Sequence, residues 1–520
     1  MIARTLSLAI ALALSAPTSA YFSEGGFADG RVSVREVDGW TVMDAELPGK
    51  LISYALPRTP DGRRGIILLV APLRERAEPA AEPEPKDDEP EGPRLPPCPS
   101  EQEKATGPPL GLYRLDLSGD GGLVSLREDL PHDATALDAA DLDGDGSDEL
   151  LLVRPGELLS LNEDGGRPLE SLVQETELEW NSLHPRAVRY GSESGSPWVA
   201  TTTLGLFELY GPRDDPGRWK VLAQVDLPVY GDVNRTGVEV WSPTPEFIGS
   251  NSTGTLFFAT PPEPFGKRRL KTVLVAARHD GLSTLTESWA GLPEAEEILD
   301  HTFLMVDDRP VLLVSTKRAD KLDLFGEKRI RVYPLERDRS RLGFAPLFAG
   351  ESRMNLWQEG KPMMLDANAD GLDDLVIGYW KGIIHDRVVI DVYLREAGGG
   401  FDRSARNTAF DVKKGDRSYV QYGADLTGDR VPDLLVRGKP GYMLYPGRPS
   451  TNGRRLVEEK PRILRLSDLR DDEDEPDWGG PSSGRPRAID IEGDGTVELL
   501  MVRTGSQHTP GVLHLLRVLE

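Results

Sequence analysis

Four short acidic loops recur in the chain, each followed at once by a run of apolar residues. They read Asp141-Leu-Asp-Gly-Asp-Gly-Ser-Asp-Glu149, Asp366-Ala-Asn-Ala-Asp-Gly-Leu-Asp-Asp374, Asp425-Leu-Thr-Gly-Asp-Arg-Val-Pro-Asp433 and Asp490-Ile-Glu-Gly-Asp-Gly-Thr-Val-Glu498. Oxygen-bearing side chains fall at positions one, three, five and nine of each. That spacing suits a cation-binding turn, and its recurrence predicts a repeat architecture.

Calcium is a hard cation that takes six to eight oxygens, many of them carboxylate. Alternate positions of a tight turn can fold such oxygens inward onto one ion. The seventh residue (Ser147, Leu372, Val431 or Thr496) adds its backbone carbonyl. Glycine at position six permits the left-handed backbone of a sharp turn. The first loop offers Asp141, Asp143, Asp145 and Glu149, with Gly146 at the turn. The second offers Asp366, Asn368, Asp370 and Asp374, with Gly371. The fourth offers Asp490, Glu492, Asp494 and Glu498, with Gly495; its two glutamates reach farther. The third keeps Asp425, Asp429 and Asp433, but Thr427 is neutral and Arg430 replaces the glycine, so the weakest binding is expected there.

An EF-hand is the obvious competitor, and it requires a bidentate Glu at position twelve. Here the twelfth residues are Leu152, Ile377, Val436 and Met501, all apolar and all inside an apolar run. The runs themselves, Leu150 to Val153, Leu375 to Ile377, Leu434 to Val436 and Leu499 to Val502, suit short buried strands. Apolar residues also precede the loops, so the unit reads strand, acidic turn, strand. A single such loop also suits a plain solvated hairpin, because Asp, Asn and Gly favour turns. Four in the same phase favour the cation reading. Asp116-Leu-Ser-Gly-Asp-Gly-Gly and Asp232-Val-Asn-Arg-Thr-Gly lack an acid at position nine and read as ordinary turns.

The chain has 520 residues and a formal net charge of −25. With 54 Gly, 42 Pro and little helical periodicity, it favours an all-β array with many turns. Such acidity argues against nucleic acid as a partner. Residues 1–20 read as an export signal: Arg4, the mostly apolar Leu6 to Leu14, then Thr18-Ser-Ala20 before a cut after Ala20. The apolar run is short for a membrane span, and no later segment approaches one. A secreted or periplasmic protein without a transmembrane segment in the mature chain, and a monomer, is expected. Cys98 is the one cysteine, which excludes an internal disulfide and a zinc cluster built on several cysteines.

A second motif recurs as Leu112-Tyr-Arg-Leu, Leu158-Leu-Ser-Leu, Leu206-Phe-Glu-Leu-Tyr, Val273-Leu-Val, Ile330-Arg-Val-Tyr, Val389-Ile-Asp-Val-Tyr-Leu, Tyr442-Met-Leu-Tyr and Val512-Leu-His-Leu-Leu. Several alternate with period two, as half-buried strands do. The last three clear loops begin 59 and 65 residues apart. The sum is about eight four-stranded antiparallel units at propeller spacing. The fold expected is an all-β, seven- or eight-bladed β-propeller, with eight favoured by the unit count. The last unit supplies only three strands, so the segment Arg31 to Ala45 is expected to complete its blade. Residues 21–520 read as one domain. Residues 74–109, rich in Pro and Glu, lack apolar groups to bury and read as a disordered insertion inside the first blade.

The Asp-x-[Asp/Asn]-x-Asp-Gly-x-x-[Asp/Glu] loop with its apolar tail resembles FG-GAP or VCBS repeats, which build the propeller of integrin α subunits and of many secreted bacterial proteins. Val392-Tyr-Leu-Arg-Glu-Ala-Gly-Gly-Gly-Phe401 is similar to the strand and turn that follow the loop in that family. The resemblance covers residues 134–166 and 360–520. It implies several calcium sites of weak to moderate affinity at the matching positions, a propeller of seven or eight blades, and an interaction or scaffold role.

Enzyme signatures are poor. Gly480-Pro-Ser-Ser-Gly484 matches a nucleophile elbow but follows an acidic loop, and Pro486 opposes a helix after it. The seven histidines form no HExxH pair; His132, His184 and His301 read as surface or loop residues. Trp180, Trp198, Trp219, Trp241, Trp289, Trp357, Trp380 and Trp478 suit blade cores, or a stacking platform for sugars. The function expected is a calcium-stabilised module that binds a protein or glycan. The alternative is an extracytoplasmic polysaccharide lyase or hydrolase on the same scaffold.

Overall fold

In the computed structural model the chain is described at residue 27 and over residues 30–73, 107–117, 122–141, 145–154, 157–161, 361–368, 370–381, 387–402, 406–411, 420–438, 441–449, 456–465, 486–506 and 508–519. Between 170 and 352 the described residues are those of the strands named below. The export signal, Cys98, Trp180, His184, Gly480 to Gly484 and almost all of 74–109 lie outside the described residues. So does the Asp232 turn.

The described residues contain strands and no helix. β1 (Arg31–Val37) and β2 (Trp40–Glu46) come first. They are followed by β3 (Gly49–Ala55), β4 (Ile66–Pro72), β5 (Leu110–Asp116) and β6 (Gly122–Leu130). Next come β7 (Ala136–Ala140), β8 (Glu149–Arg154), β9 (Glu157–Leu161) and β10 (Glu170–Val173). The next four are β11 (Arg189–Gly191), β12 (Trp198–Thr203), β13 (Leu206–Pro212) and β14 (Trp219–Asp226). Then follow β15 (Glu246–Gly249), β16 (Thr253–Ala259), β17 (Leu270–Arg278) and β18 (Gly281–Trp289). β19 (Glu296–Val306), β20 (Arg309–Arg318), β21 (Lys328–Pro334) and β22 (Phe348–Ser352) continue the pattern. They lead to β23 (Lys361–Leu365), β24 (Asp374–Lys381), β25 (Arg387–Tyr393) and β26 (Arg406–Asp411). β27 (Val420–Ala424), β28 (Asp433–Gly438), β29 (Gly441–Tyr445) and β30 (Arg462–Arg465) form the penultimate group. β31 (Arg487–Ile489), β32 (Glu498–Arg503) and β33 (Val512–Val518) end the chain.

Each consecutive group of four from β3 to β30 is one antiparallel sheet in simple up-and-down order, the arrangement of propeller blades. All eight recurrent sequence motifs fall on the third strand of a sheet: β5, β9, β13, β17, β21, β25, β29 and β33. β4 and β5 are paired neighbours, so the stretch 74–109 lies within one hairpin connection of the first sheet.

Packing explains why second strands are apolar without alternation. Ile66, Leu68 and Val70 of β4 pack with Leu500 and Val502 of β32, while Ile67 and Leu69 pack with Leu150 and Leu152 of β8. Leu434 and Val436 of β28 join Val376 of β24; Leu435 joins Leu499 and Met501 of β32. Leu375 and Ile377 of β24 pack with Val311 and Leu313 of β20. Odd and even residues of one strand thus serve two neighbouring sheets. Each buried Leu, Ile or Val contributes about 1.5–3 kcal/mol. This packing sets the spatial order β19–β22, β23–β26, β27–β30, the sheet of β31–β33, β3–β6, β7–β10. β14 lies against β10 and β18, and β16 lies against β19.

The last sheet differs from the four-stranded expectation. Its order is β1-β2-β33-β32-β31, so the N-terminal segment supplies two strands and the sheet has five. The extra strand arises because Asp38 and Gly39, with φ of 47° and 84°, form a two-residue Asp-Gly hairpin. That turn matches the twist of paired strands. β2 pairs with β33 from Trp40 opposite Val518 to Glu46 opposite Val512. Trp40 is fully buried beside Leu516 and Leu499. Asp44 and His514 face each other at mid-strand, with Oδ1 and Nδ1 2.7 Å apart. Arg35 Nε donates to the other carboxylate oxygen at 3.0 Å.

Burial pushes the Asp44 carboxyl up, but the His514 and Arg35 contacts outweigh it and hold the group below its ordinary 3.8. A lowered carboxylate contributes stability above its unfolded pKa and loses it as pH falls through the folded value. Asp44→Asn is therefore expected to lower Tm at neutral pH. The gap from wild type should close as pH drops below about 4, which thermal melts across pH will read.

Candidate metal-binding loops

All four acidic loops connect the first and second strands of their sheets: β7 to β8, β23 to β24, β27 to β28 and β31 to β32. The position-one aspartate organises each turn. Its Oδ2 accepts the position-six N–H: Gly146 to Asp141 at 3.1 Å, Gly371 to Asp366 at 2.8 Å, Arg430 to Asp425 at 2.7 Å and Gly495 to Asp490 at 3.0 Å. The position-five aspartate accepts the position-seven N–H in every loop: Ser147 to Asp145, Leu372 to Asp370, Val431 to Asp429 and Thr496 to Asp494, at 2.7 to 2.9 Å. The same backbone therefore recurs four times. Arg430 adopts φ of 65° where the other loops have glycine, so the hydrogen-bonded turn overrides the side chain's preference.

In the loop of Asp366 the outer side chains converge on one N–H. Asp366 Oδ1 and Asn368 Oδ1 both accept the Asp370 N–H, at 3.0 and 3.1 Å. Asn368 Nδ2 donates to Asp370 Oδ2 at 2.9 Å. Asp366, Asn368 and Asp370 thus bring hard side-chain oxygens to one exposed turn, the donor type that calcium takes. In the third loop Thr427 Oγ1 turns toward Asp433, 3.4 Å from its Oδ1. Asp143 lies outside the described residues. Among the described residues no three His, Cys, Asp or Glu side chains stand together so as to hold a metal ion by themselves. In the second and third loops Asn368 and Thr427, with backbone carbonyls, would complete the donor set.

The position-nine carboxylates face inward. Asp374, Asp433 and Glu498 are at most 3% exposed. Asp374 accepts the Ala367 and Arg395 N–H groups at 3.1 and 2.7 Å. Asp433 accepts those of Leu426, Thr427 and Gly447 at 2.7, 2.9 and 2.5 Å. Glu498 accepts the Ile491 N–H at 3.0 Å. The acid that ends the motif thus fastens position two of its own turn. In the second and third loops it also fastens the chain just after the third strand.

The first loop uses a different acid. Asp148, at position eight, is buried and accepts the Arg58 N–H at 2.7 Å, with the Arg58 guanidinium 3.6 Å away. Glu149 is half-buried at the start of β8. Neither Asp148 nor Arg58 stood out in the sequence, because their partnership crosses two sheets. Neighbouring loops are also tied through the backbone. The Val497 N–H donates to the Asp425 carbonyl at 2.9 Å, Arg64 to Ile491 at 2.7 Å and Asp148 to Arg58 at 2.9 Å. The β3–β4 connection around Arg58 is thus part of the same row, with an arginine in place of an acid.

Burial pushes both Asp374 and Asp433 up to about 6, against the pull of their N–H donors. A raised carboxyl binds its proton more tightly when folded, so stability falls as pH rises from about 4 through about 6. In chelator, Tm is expected to rise as pH is lowered from 7 to about 5, and Asp433→Asn should flatten part of that rise. Asp433→Ala leaves three backbone donors without their acceptor and is expected to cost at least about 3 kcal/mol. Asp429→Ala, at an exposed site, should cost about 1 kcal/mol or less. Urea denaturation measures both.

No known family's sequence profile matches the chain, and no curated protein matches it. Among solved structures, dihydro-heme d1 dehydrogenase NirN in complex with DHE is 14% identical, with a TM-score of 0.38 over 86% of this chain and 76% of that one. BBS1N in complex with ARL6DN is 13% identical, with a TM-score of 0.32 over 74% of this chain and 91% of that one. An endo-arabinase from Bacteroides thetaiotaomicron is 14% identical, with a TM-score of 0.27 over 52% of this chain and 96% of that one. Scores of this size carry no argument about role, and the architecture rests on strand pairing and packing.

Proposed function

We propose that the chain is an eight-bladed β-propeller of the FG-GAP or VCBS kind, exported by its first 20 residues, that holds calcium in the acidic hairpins of Asp141, Asp366 and Asp425 and binds a protein or glycan. Eight sheets in sequence, and a last sheet built from both ends of the described chain, support the blade count. Residues 21–520 form one domain in this reading, with 74–109 as an insertion. No described helix is long and apolar enough to cross a membrane.

The observation that carries the calcium reading is the fourfold recurrence of one turn. In each, the aspartates at positions one and five are held by the same two N–H groups. Asp366, Asn368, Asp370, the Leu372 carbonyl and Asp374 form the best candidate set. Asp141, Asp143, Asp145, the Ser147 carbonyl and Glu149 form the next. Asp425, Thr427, Asp429, the Val431 carbonyl and Asp433 form a weaker one. When bound, calcium would neutralise carboxylates that now repel one another across the turn. The raised acids Asp374 and Asp433 are buried among backbone donors, which favours a scaffold role for them over proton transfer.

Calcium at 100 times its Kd stabilises a one-site protein by about 2.7 kcal/mol. Melting in calcium against EDTA should therefore show a clear rise in Tm, and Asp366→Asn with Asp370→Asn should remove a large part of it. Equal melting in both buffers would overturn the metal assignment. A glycan array with product analysis separates the roles: retention without cleavage fits a binding module, whereas shortened products would establish an enzyme.

A further inference from the structure

Among the described residues, the fourth loop is the one in which an arginine reaches the carboxylates at positions three and five. Arg517, on β33, sends each of its three guanidinium nitrogens to a different carboxylate. Nη1 donates to Glu492 Oε1 at 2.9 Å, Nη2 to Asp494 Oδ2 at 3.4 Å, and Nε stands 3.7 Å from Glu498 Oε1. Glu492 and Asp494 are positions three and five of the loop, where a bound ion would draw its oxygens. Glu498 is buried, and its Oε1 has no hydrogen-bond partner. Its other oxygen accepts the Ile491 N–H, and the Arg517 guanidinium is the cation beside it. Asp490 is already occupied by the N–H groups of Gly493, Asp494 and Gly495.

The register shows what places Arg517 at this loop. Leu499 pairs with Leu516, so the next residue outward on β33, Arg517, stands opposite Glu498. In the second loop's sheet Leu375 pairs with Tyr393, and the corresponding residue is Leu394. In the third, Leu434 pairs with Tyr445, and it is Pro446. In the first, Leu150 pairs with Leu161, which is followed in sequence by Asn162. None of these three can carry positive charge. The arginine adjacent to Leu394, Arg395, lies instead over the Phe401 ring, 4.9 Å from its centroid.

We propose that the loop Asp490 to Glu498 is a latent divalent-cation site whose cation is supplied from within the chain by the Arg517 guanidinium. It takes no metal in the native protein, and it becomes a hard-cation site when that charge is removed. A guanidinium is planar and always charged, and its fork of donors suits several carboxylates at once. The inference shares only the loop geometry with the calcium reading above, so the two fail separately.

The test compares full-length wild type and Arg517→Gln by calorimetric melting in EDTA and in calcium. The variant is expected to lose about 3 °C or more in EDTA and to recover most of that loss in calcium, beyond the wild type's own calcium response. Adding Glu492→Gln and Asp494→Asn to the variant should abolish the gained response. A variant deficit equal in both buffers, or no deficit, would overturn the proposal. A wild type indifferent to calcium would sink only the earlier reading, because the quantity read here is the difference between variant and wild type. Should Arg517→Gln not fold in EDTA, folding on addition of calcium is the expected result, and its absence counts against the proposal. Arg517→Lys keeps the charge and should show no calcium response beyond wild type; a gained response there would also overturn it.

Discussion

Burial on both faces of the second strand is the constraint from which the architecture follows. A strand such as Ile66–Pro72 or Glu498–Arg503 has no polar side to turn to water. One neighbouring sheet covers half of its apolar side chains, and a second must cover the rest. A stack that obeys this rule at every sheet has no comfortable end. Curving the stack so that first and last sheets meet removes the ends, and the sheet shared by β1, β2 and β31–β33 is where they meet. The hydrophobic demand and the chain topology thus give the same answer.

The acidic turns solve a local problem created by that stacking. Each must reverse the chain within a few residues at the rim of a crowded sheet. Backbone N–H groups inside such a turn cannot reach strand partners, so side-chain oxygens accept them instead. Asp366 and Asp370 do this at the exposed end of their loop, and Asp374 does it at the buried end. The motif therefore has two chemically different halves. The outer half concentrates negative charge in reach of water, where an added cation lowers repulsion. The inner half is a carboxylate held by amides, with the sheet around it. Arg517 and Arg58 show two ways in which the chain brings its own positive charge to this rim.

Much of this was legible in the sequence because it is periodic and local. Third strands announced themselves by short alternating runs, second strands by unbroken apolar ones, and the joining loops by their spacing. The completion of the last sheet by the N-terminal segment was also legible, since three strands at the C-terminal end leave an edge open. The fifth strand is not legible from the apolar pattern, although Asp38-Gly39 is a good hairpin turn, because Arg31 to Ala45 reads as one segment. Trp40 is not legible as a core residue for the same reason. Asp148, Arg58, Asp44, His514 and Arg517 were illegible on other grounds. Each acquires its meaning from a partner on a strand or loop far away in sequence, and no spacing rule points to a contact between residues 470 apart.

The pairing of β2 with β33 also sets an order of events for the nascent polypeptide. The edge of β2 that receives β33 is synthesised before β3 to β32, and its mate only after all of them. Until then that edge, with the indole of Trp40 beside it, has no native cover. Ring formation therefore waits on a single late encounter, whose chain-entropy cost rises only slowly with the length of the intervening polypeptide. Its rate is governed instead by how long the ends take to find one another. A chaperone that shields early strands would act on this interval.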